Sequence, residues 1–504
     1  MNSAGHGRPT VGPQPIPAAE SREVTIALRV RALNRLAPRT IMAAQTAENG
    51  WTRSNRESKH PILLPAFMHH TPFFTALDPD ARIKGSRDPL GFERIWTAFG
   101  REIIGNLTTV TRSVRQFSTL LFVFHLANQA TESLADRDEE FLPAFLRFEQ
   151  LAAYARYRGD QAAARDIRGI RAVRRNVDKH RHGLWLSRKP EWQLLSDQKT
   201  YGLYGLFRMA ASNSGWLHPE KPTQLSPRAR EFVERRLLSV PRQAQEEMVR
   251  SISKDTKIDL DKSSIVGVLA DLLRPQLSSE EVDFYGPDLV RGVQQAKPWH
   301  GQSQLWDCIE AVNSPPQMFC WSDEFGMAEL HACIELSRSR GHNELADRLY
   351  RIRRAEELLG AAAMLYDFLL TQDKQPIDAV AKQIAHPLRE GLSWLNVADL
   401  CPVFGDSAER LVSLAQHLAG GRYAAACRTL IEHNDEVMRQ RGGSAWIVLK
   451  QDTLEVRFLD EGGDLPTLKD IQHPWVHTYF LNALKRVGAC VYHGQTGGDE
   501  DAAE

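Results

Sequence analysis

The 504-residue chain lacks the usual marks of a secreted, membrane-spanning or highly charged protein. Its six cysteines are scattered and include no CxxC pair, which is typical of reduced thiols in a cytosolic protein. The most apolar run, Leu120 to Ala127, is far too short to cross a bilayer. Because residues 1–22 contain no apolar core, we expect no signal peptide. Lys plus Arg equal Asp plus Glu at 63 each, so any electrostatic function must come from local clustering. We expect a cytoplasmic protein without a membrane partner.

Recognisable catalytic and metal-binding motifs are also missing. There is no glycine-rich phosphate loop ending in Lys-Ser or Lys-Thr, no GxSxG and no HExxH. The segment KDTKIDLDKSS, residues 254–264, lacks the glycine and the final glutamate of a calcium loop, so its aspartates are interpreted as helix caps. His180 and His182 could be metal ligands, but the neighbouring arginines would repel a cation. We expect no cofactor and no metal site.

The segment from 196 to 238 predicts a helix, two short strands and a second helix. It reads SDQKTYGLYGLFRMAASNSGWLHPEKPTQLSPRAREFVERRLL. Apolar residues follow helical spacing from Tyr201 to Met209, and Gly215 supplies the positive φ common at a helix exit. Short strands are predicted on either side of a proline-containing loop, residues 218–223. Ser226 and Pro227 are typical of the start of the second helix.

This order of elements resembles the second half of a winged-helix domain. In that family a Leu-Thr-Pro-like turn often ends the second strand, and the tripeptide at 225–227, Leu-Ser-Pro, matches it. The resemblance implies that 218–223 is the wing and that the helix from about Lys199 is the recognition helix. Lys199 and Arg208 would face the DNA groove, with Lys221 on the wing and Arg228 on the following helix. A helix–hairpin–helix unit that packs in a core or docks a protein is the alternative.

A strongly basic segment lies immediately upstream. Residues 156–189 hold eleven Lys or Arg and three Asp. Ile167, Ile170, Val173 and Val177 predict one apolar stripe along a helix, with cations on the remaining surface. Arginine suits phosphate because its planar guanidinium donates two parallel hydrogen bonds. The side chains expected to hold phosphates are Arg165, Arg168, Arg171, Arg175, Lys179 and Arg181. Pairing of these arginines with nearby carboxylates on a solvated face is the alternative.

Together these patterns predict a mainly α-helical, multi-domain protein with a central winged-helix-like module. At the C-terminal end, SAWIVLK and TLEVRFL predict a small β-hairpin, followed by a helix. The predicted parts are a disordered tail at 1–22, a helical N-terminal domain at 60–195 ending in the basic helix, the winged-helix-like module at 196–240, a helical domain at 241–440, the β-hairpin plus helix at 441–493 and an acidic disordered tail at 494–504.

Three segments carry a second resemblance. They are GNLTTVTRSVRQFSTLLF, the stretch from DIRGIRAV to SNSGWL, and the C-terminal stretch from VMRQRGGSAWIVL to HPWVHTYFLNAL. This layout is similar to uncharacterised helical subunits of prokaryotic antiphage-defence systems. The resemblance implies antiviral defence and a place beside a separately encoded ATPase, helicase or nuclease.

The sequence therefore predicts a non-catalytic DNA-binding or adaptor subunit of a multi-protein bacterial system, with duplex DNA as a partner. Phosphate contacts alone would give non-specific or weakly specific binding. Two other functions stay open. One is a protein–protein scaffold without DNA contact, and the other is a metal-dependent nuclease whose site is not visible in the sequence.

Overall fold

The computed structural model describes residues 88–294, 300–315, 319–322, 324–388, 392–458 and 462–494. All of them belong to a compact unit that spans residues 78–504. The predicted tail at 1–22 lies outside the described residues, as does the tail at 494–504 apart from Gly494.

Helices dominate the described residues, so the prediction of a mainly α fold is confirmed. The first helices are α1 (Glu93–Arg101), α2 (Val114–Thr131), α3 (Arg137–Gly159), α4 (Ile170–His180), α5 (Gln198–Tyr201), α6 (Leu203–Asn213) and α7 (Pro227–Leu237). Next come α8 (Arg242–Ser253), α9 (Ser264–Leu272), α10 (Ser279–Tyr285), α11 (His300–Val312), α12 (Met327–Ser339) and α13 (Asn343–Leu369). The last are α14 (Ile377–Ala385), α15 (Cys401–Phe404), α16 (Ala408–Ala419), α17 (Tyr423–Gln440), α18 (Leu468–Gln472) and α19 (Leu481–His493).

Helix α2 is the central element of the region that contains the basic segment. Its sequence is apolar on nearly every side, and α3, α6, α7 and α8 pack around it. Ser113 and Gln116 form a capping box at its N-terminus, which satisfies backbone N–H groups that the helix leaves unpaired. A helix buried on all sides gives its neighbours fixed positions, and α3 in turn supports α4.

Two small antiparallel sheets complete the described structure. Strand β1 (Leu184–Leu186) pairs with β2 (Thr256–Ile258), a connection between distant parts of the chain that the sequence did not predict. Strands β3 (Ile447–Lys450) and β4 (Thr453–Val456) form the expected C-terminal hairpin. Gln451 and Asp452 between them both have positive φ, which is typical of a two-residue hairpin turn. Among the described helices, none combines the length and the apolar character needed to cross a membrane.

Candidate nucleic-acid interface

The basic segment is not one continuous helix. Residues Ala163–Asp166 form a single 3-10 turn, and Ile167 is extended. Gly169 then adopts a left-handed conformation with φ of +79°, and α4 begins only at Ile170. The prediction of one helix from Ile167 to Val177 is therefore wrong at its start, because the chain turns at Gly169. Arg165 and Arg168 precede the helix that carries Arg171, Arg175 and Lys179, and Arg181 follows its last residue.

Helix α4 presents one basic face to solvent. Arg171, Arg175 and Lys179 are exposed, and their four-residue spacing places them on the same side of the helix. The opposite face is buried, and Asn176 on that face donates a hydrogen bond to the Tyr154 hydroxyl of α3 at 3.0 Å. Within the described chain, neither Arg175 nor Lys179 forms an ion pair with a carboxylate. The exposed face of α4 thus carries three of the cations that were predicted to hold phosphates.

Arg168 and Arg181 of the basic segment have specific partners. Arg168 donates from Nε to the carbonyl oxygen of Tyr201 at 3.3 Å, which links the turn before α4 to the end of α5. The Arg181 guanidinium donates two hydrogen bonds to the Asp261 carboxylate, one from Nε at 2.7 Å and one from a terminal nitrogen at 2.9 Å. The hydrogen bond from Arg181 is the largest cause of a lowered pKa at Asp261. Arg165 lies partly exposed in the 3-10 turn.

Asp261 also belongs to a trio of potential metal ligands. One ligand atom from each of His182, Asp259 and Asp261 lies within 4.8 Å of the others. Arg158 and Arg181 both bind Asp261, so two guanidinium groups already neutralise this carboxylate. Asp259 accepts the backbone N–H groups of Asp261 and Lys262 and so closes the turn before α9. The helix itself has Ser263 at its N-cap without a side-chain cap, so the interpretation of these aspartates as helix caps is wrong. The trio could receive a cation only by displacing the arginines.

The segment from 196 to 238 contains most of the predicted local elements in shortened form. Gly215 has φ of +72° after α6, and the Ser226 side chain caps α7 with Pro227 at the first position. The two predicted strands reduce to a single antiparallel bridge between Leu217 and Leu225. Backbone hydrogen bonds on both sides of this bridge close the loop 218–223, where Lys221 is exposed.

The predicted recognition helix is divided at Gly202, so Lys199 lies on α5 and Arg208 on α6. Glu149 of α3 explains the break: its carboxylate accepts the backbone N–H of Leu203 at 2.7 Å and the side-chain amide of Gln198 at 2.8 Å. A Cβ at position 202 would lie 2.7 Å from one oxygen of Glu149. Burial raises the pKa of Glu149 to about 7. The prediction of one continuous helix from Lys199 is wrong, because a buried carboxylate binds the start of a second helix.

The exposed side of α5 and α6 is more apolar than the face of α4. Tyr201 is 52% exposed and Met209 is 63% exposed. Lys199 is exposed, while the Arg208 guanidinium lies 5.4 Å from the centre of the Tyr204 ring. A face with these residues offers less polar reach to base edges than a typical major-groove helix.

Arg228 has a structural role that the sequence did not reveal. Its guanidinium donates to both oxygens of Asp288, at 3.1 and 3.0 Å. Asp288 is fully buried and also accepts the indole N–H of Trp216 at 2.9 Å. Burial is the main cause of the raised pKa of Asp288, and the Arg228 charge opposes that effect. Arg228 therefore neutralises a buried carboxylate, and this pairing occupies two donors of a side chain that was predicted to contact nucleic acid.

Strand β1 adds exposed residues that the sequence reasoning missed. Trp185 is 38% exposed, and Lys257 of β2 lies directly opposite it. Arg188 and Lys189 follow the strand and are also exposed. Alternation in Leu-Trp-Leu was a usable signal for the outward tryptophan. Strand β1 follows α4 in the chain and packs against it, so these side chains lie close to the C-terminal end of that helix. We call the combined set the basic surface, and it consists of Arg171, Arg175, Lys179, Trp185, Arg188, Lys189 and Lys257.

A small cavity lies behind this region, between α2, α3 and the turn before α4. It has about 20 Å³ of interior space, enough for roughly one water molecule. Glu149, Arg156, Asp166 and Arg168 contribute to its lining. One oxygen of Asp166 binds Arg156 at 2.6 Å, and the other is buried without a hydrogen-bond partner in the described structure. The cavity is too small for an organic substrate.

No protein-family model, no curated protein and no solved structure matches this chain. Support for a function therefore comes from the geometry and charge of the described residues.

Proposed function

We propose that this protein is a non-catalytic DNA-binding subunit that holds the phosphate backbone with the basic surface. The observation that carries the proposal is the common exposed face of Arg171, Arg175 and Lys179 on α4. Residues four apart on a helix are separated by about 6 Å along its axis. Each strand of duplex DNA carries a phosphate about every 3.4 Å along its axis, so several phosphates come within reach of the three side chains.

The local charge supports the same proposal. From 170 to 189 the chain has seven Lys or Arg and a single Asp, although the whole chain is neutral. This excess attracts a polyanion only at short range, since salt screens exposed charges over about 8 to 10 Å. Backbone contacts of this kind bind with little sequence preference.

The segment from 198 to 237 is the proposed second contact. Its order of helix, bridge, loop and helix supports a winged-helix-like arrangement, with 218–223 as the wing. Asn128 donates to the carbonyl oxygen of Thr223 at 2.6 Å, which fixes one end of the loop against α2. Of the cations predicted to contact DNA in this segment, Lys199 and Lys221 are exposed and have no described carboxylate partner. A cytoplasmic role beside an ATPase, helicase or nuclease in antiphage defence is part of the proposal and rests on the sequence resemblance.

The experiment is a charge reversal on α4 with a matched control. In the test variant Arg175→Glu and Lys179→Glu reverse two exposed cations that have no described ion pair. In the control Lys382→Glu and Lys469→Glu make the same change of charge at exposed positions on α14 and α18. Binding to a labelled duplex is measured across a salt series, with and without magnesium.

The wild-type protein and the control should bind with a steep salt dependence. The test variant should bind about tenfold or more weakly at low salt, and its logarithmic salt slope should fall by about two, since each lost phosphate contact removes about 0.9. Equal affinity of the test and control variants would disprove the proposed surface. Magnesium-dependent DNA cleavage would favour the nuclease alternative instead.

A scaffold is the second candidate, and the apolar exposed side of α5 and α6 favours it. Tyr201 and Met209 leave much of their apolar surface in water, as residues of a docking surface do. Under this function the wild type would bind no DNA, and Met209→Lys would abolish assembly with a partner subunit. Retained assembly in that variant would count against it.

A further inference from the structure

Strand β1 turns a tryptophan outwards between two buried leucines. Leu184 and Leu186 are fully buried, while Trp185 between them is 38% exposed. Successive side chains of a strand point to opposite faces, so burial of the leucines forces the indole ring into solvent. A single exposed aromatic is ordinary by itself. The residues around Trp185 indicate which kind of ligand its ring can bind.

Cations lie at both ends of the short strand that carries the ring. Lys257 is the direct cross-strand partner of Trp185, so both side chains are on the same face of the two-stranded sheet. The end of the Lys257 side chain lies over Gly183, where a Cβ would collide with it. Its ammonium is thus held near the beginning of β1, on the side of α4. At the other end of the strand, Arg188 and Lys189 are exposed.

An aromatic ring flanked by cations matches the chemistry of an unpaired nucleotide. Any nucleobase can stack on an indole ring, and cations on either side can hold the adjoining phosphates. In a duplex the bases are stacked on one another and only the backbone is offered to such a surface. Single-stranded nucleic acid therefore gains a contact at Trp185 that duplex DNA does not.

We propose that Trp185 is a stacking platform for an unpaired base and that the basic surface accepts single-stranded nucleic acid. The inference rests on the proposed function, because the same cations would hold the phosphates. Beyond that function, single-stranded nucleic acid becomes the ligand class, and Trp185 is the residue that selects it. Duplex DNA with a single-stranded end would use both contacts.

The test compares two replacements of Trp185 that both suit a β-strand, although only one of them can stack on a base. Trp185→Phe keeps an aromatic face, while Trp185→Ile keeps an apolar residue suited to a strand but removes the face. Trp394→Ile is the matched control, since Trp394 is 39% exposed elsewhere on the chain. The probes are a labelled oligodeoxythymidylate, an oligouridylate of the same length and a blunt duplex, and thermal melting checks that each variant is folded.

We expect Trp185→Ile to bind the single-stranded probes about tenfold more weakly and the duplex equally well, as for loss of one stacked base. Trp185→Phe and Trp394→Ile should stay close to the wild type. Loss with one single-stranded probe alone assigns the ligand as DNA or as RNA. The inference is overturned if Trp185→Ile weakens the duplex as much as the single strands, or weakens neither. If Trp185→Ile weakens neither kind of binding but the duplex still binds in a salt-dependent way, the proposed function stands without the stacking platform. If the wild type binds none of the probes, the inference and the proposed function are both refuted.

Discussion

The Glu149 carboxylate accepts the backbone N–H of Leu203 at 2.7 Å, at the first residue of α6. Its other oxygen accepts the side-chain amide of Gln198 at 2.8 Å, and the carboxylate is almost entirely buried in the protein. One group on α3 thereby determines where α5 ends and where α6 begins. An acidic side chain at a helix N-terminus is favourable, but burial of its charge is costly.

Folding stability should therefore depend on pH through Glu149. Burial raises its pKa from 4.5 to about 7 in the folded protein, so folding favours the protonated form. This contribution is complete below about pH 4.5, decreases as pH rises towards 7 and is lost above that value. Glu149→Gln removes it. Between about pH 5 and pH 8, the wild type should lose about 2 to 3 kcal/mol more unfolding free energy than the variant.

Urea unfolding at both pH values measures this difference. Glu140→Gln is the control, because Glu140 lies exposed on the same helix. The two glutamine variants should differ in their pH dependence. If both show the wild-type dependence, Glu149 does not titrate as expected.

Arg228 should contribute to stability and not to DNA affinity. Arg228→Ala leaves the fully buried Asp288 without its half-exposed cation, and loss of these hydrogen bonds to a buried carboxylate should cost about 1 to 3 kcal/mol. Arg230→Ala, at an exposed position of the same helix, should change the free energy of unfolding by about 0.5 kcal/mol or less. Chemical denaturation gives both values. If folded Arg228→Ala binds the duplex more weakly than the wild type and Arg230→Ala does not, Arg228 contacts nucleic acid as the sequence predicted.

Removing the Asp261 charge should tighten nucleic-acid binding. Asp261 binds Arg181 with two hydrogen bonds and also pairs with Arg158, so it neutralises cations next to the basic surface. With Asp261→Asn, Arg181 becomes available to a phosphate. Affinity at low salt should rise about threefold and the logarithmic salt slope should steepen by up to about 0.9.

Asp399→Asn is the matched control for this change, because Asp399 is an exposed aspartate paired with Arg354 far along the chain. It should leave affinity and slope unchanged. If the two asparagine variants bind alike, Arg181 takes no part in the interface.

Local signals predicted the elements that local interactions form. The cap of α7 at Ser226, the exit at Gly215 and the C-terminal hairpin were all predicted, because each depends on residues only a few positions apart. Glycine is costly inside a single helix, yet glycines stand at positions 202 and 205. In the structure they allow a tight junction of two helices, since a Cβ at 205 would collide with the carbonyl oxygen of Thr200.

Contacts between distant residues could not be predicted in the same way. Glu149 and Leu203 are 54 positions apart, and Arg228 and Asp288 are 60 apart. Periodicity correctly placed the cations of α4 on an exposed face, but it carries no information about which arginine meets a carboxylate. For the same reason the pairing that places Lys257 opposite Trp185 was not foreseen.

A last prediction concerns the stability of the C-terminal region, where Tyr479 and Phe480 both have positive φ. Non-glycine residues adopt this conformation at a cost, so the surrounding structure must hold it. Buried Glu356 does so by accepting the Tyr479 hydroxyl and His477 Nδ1, each at 2.8 Å, and the backbone N–H of His477 at 3.1 Å. Tyr479→Phe removes one of the donors to the Glu356 carboxylate. Glu356→Leu removes the acceptor itself and leaves the Tyr479 hydroxyl and both His477 donors without it.

Tyr479→Phe should lower the free energy of unfolding by about 1 to 2 kcal/mol, and Glu356→Leu by about 3 kcal/mol or more, because buried polar groups without partners are costly. Tyr350→Phe is the control, since Tyr350 lies partly exposed on the same helix as Glu356 and should change stability little. Guanidinium unfolding measures all three. Equal stability of the two phenylalanine variants would mean that the Glu356–Tyr479 hydrogen bond does not hold the left-handed pair. Nucleic-acid affinity of the folded variants should equal that of the wild type, because Glu356 lies outside the basic surface.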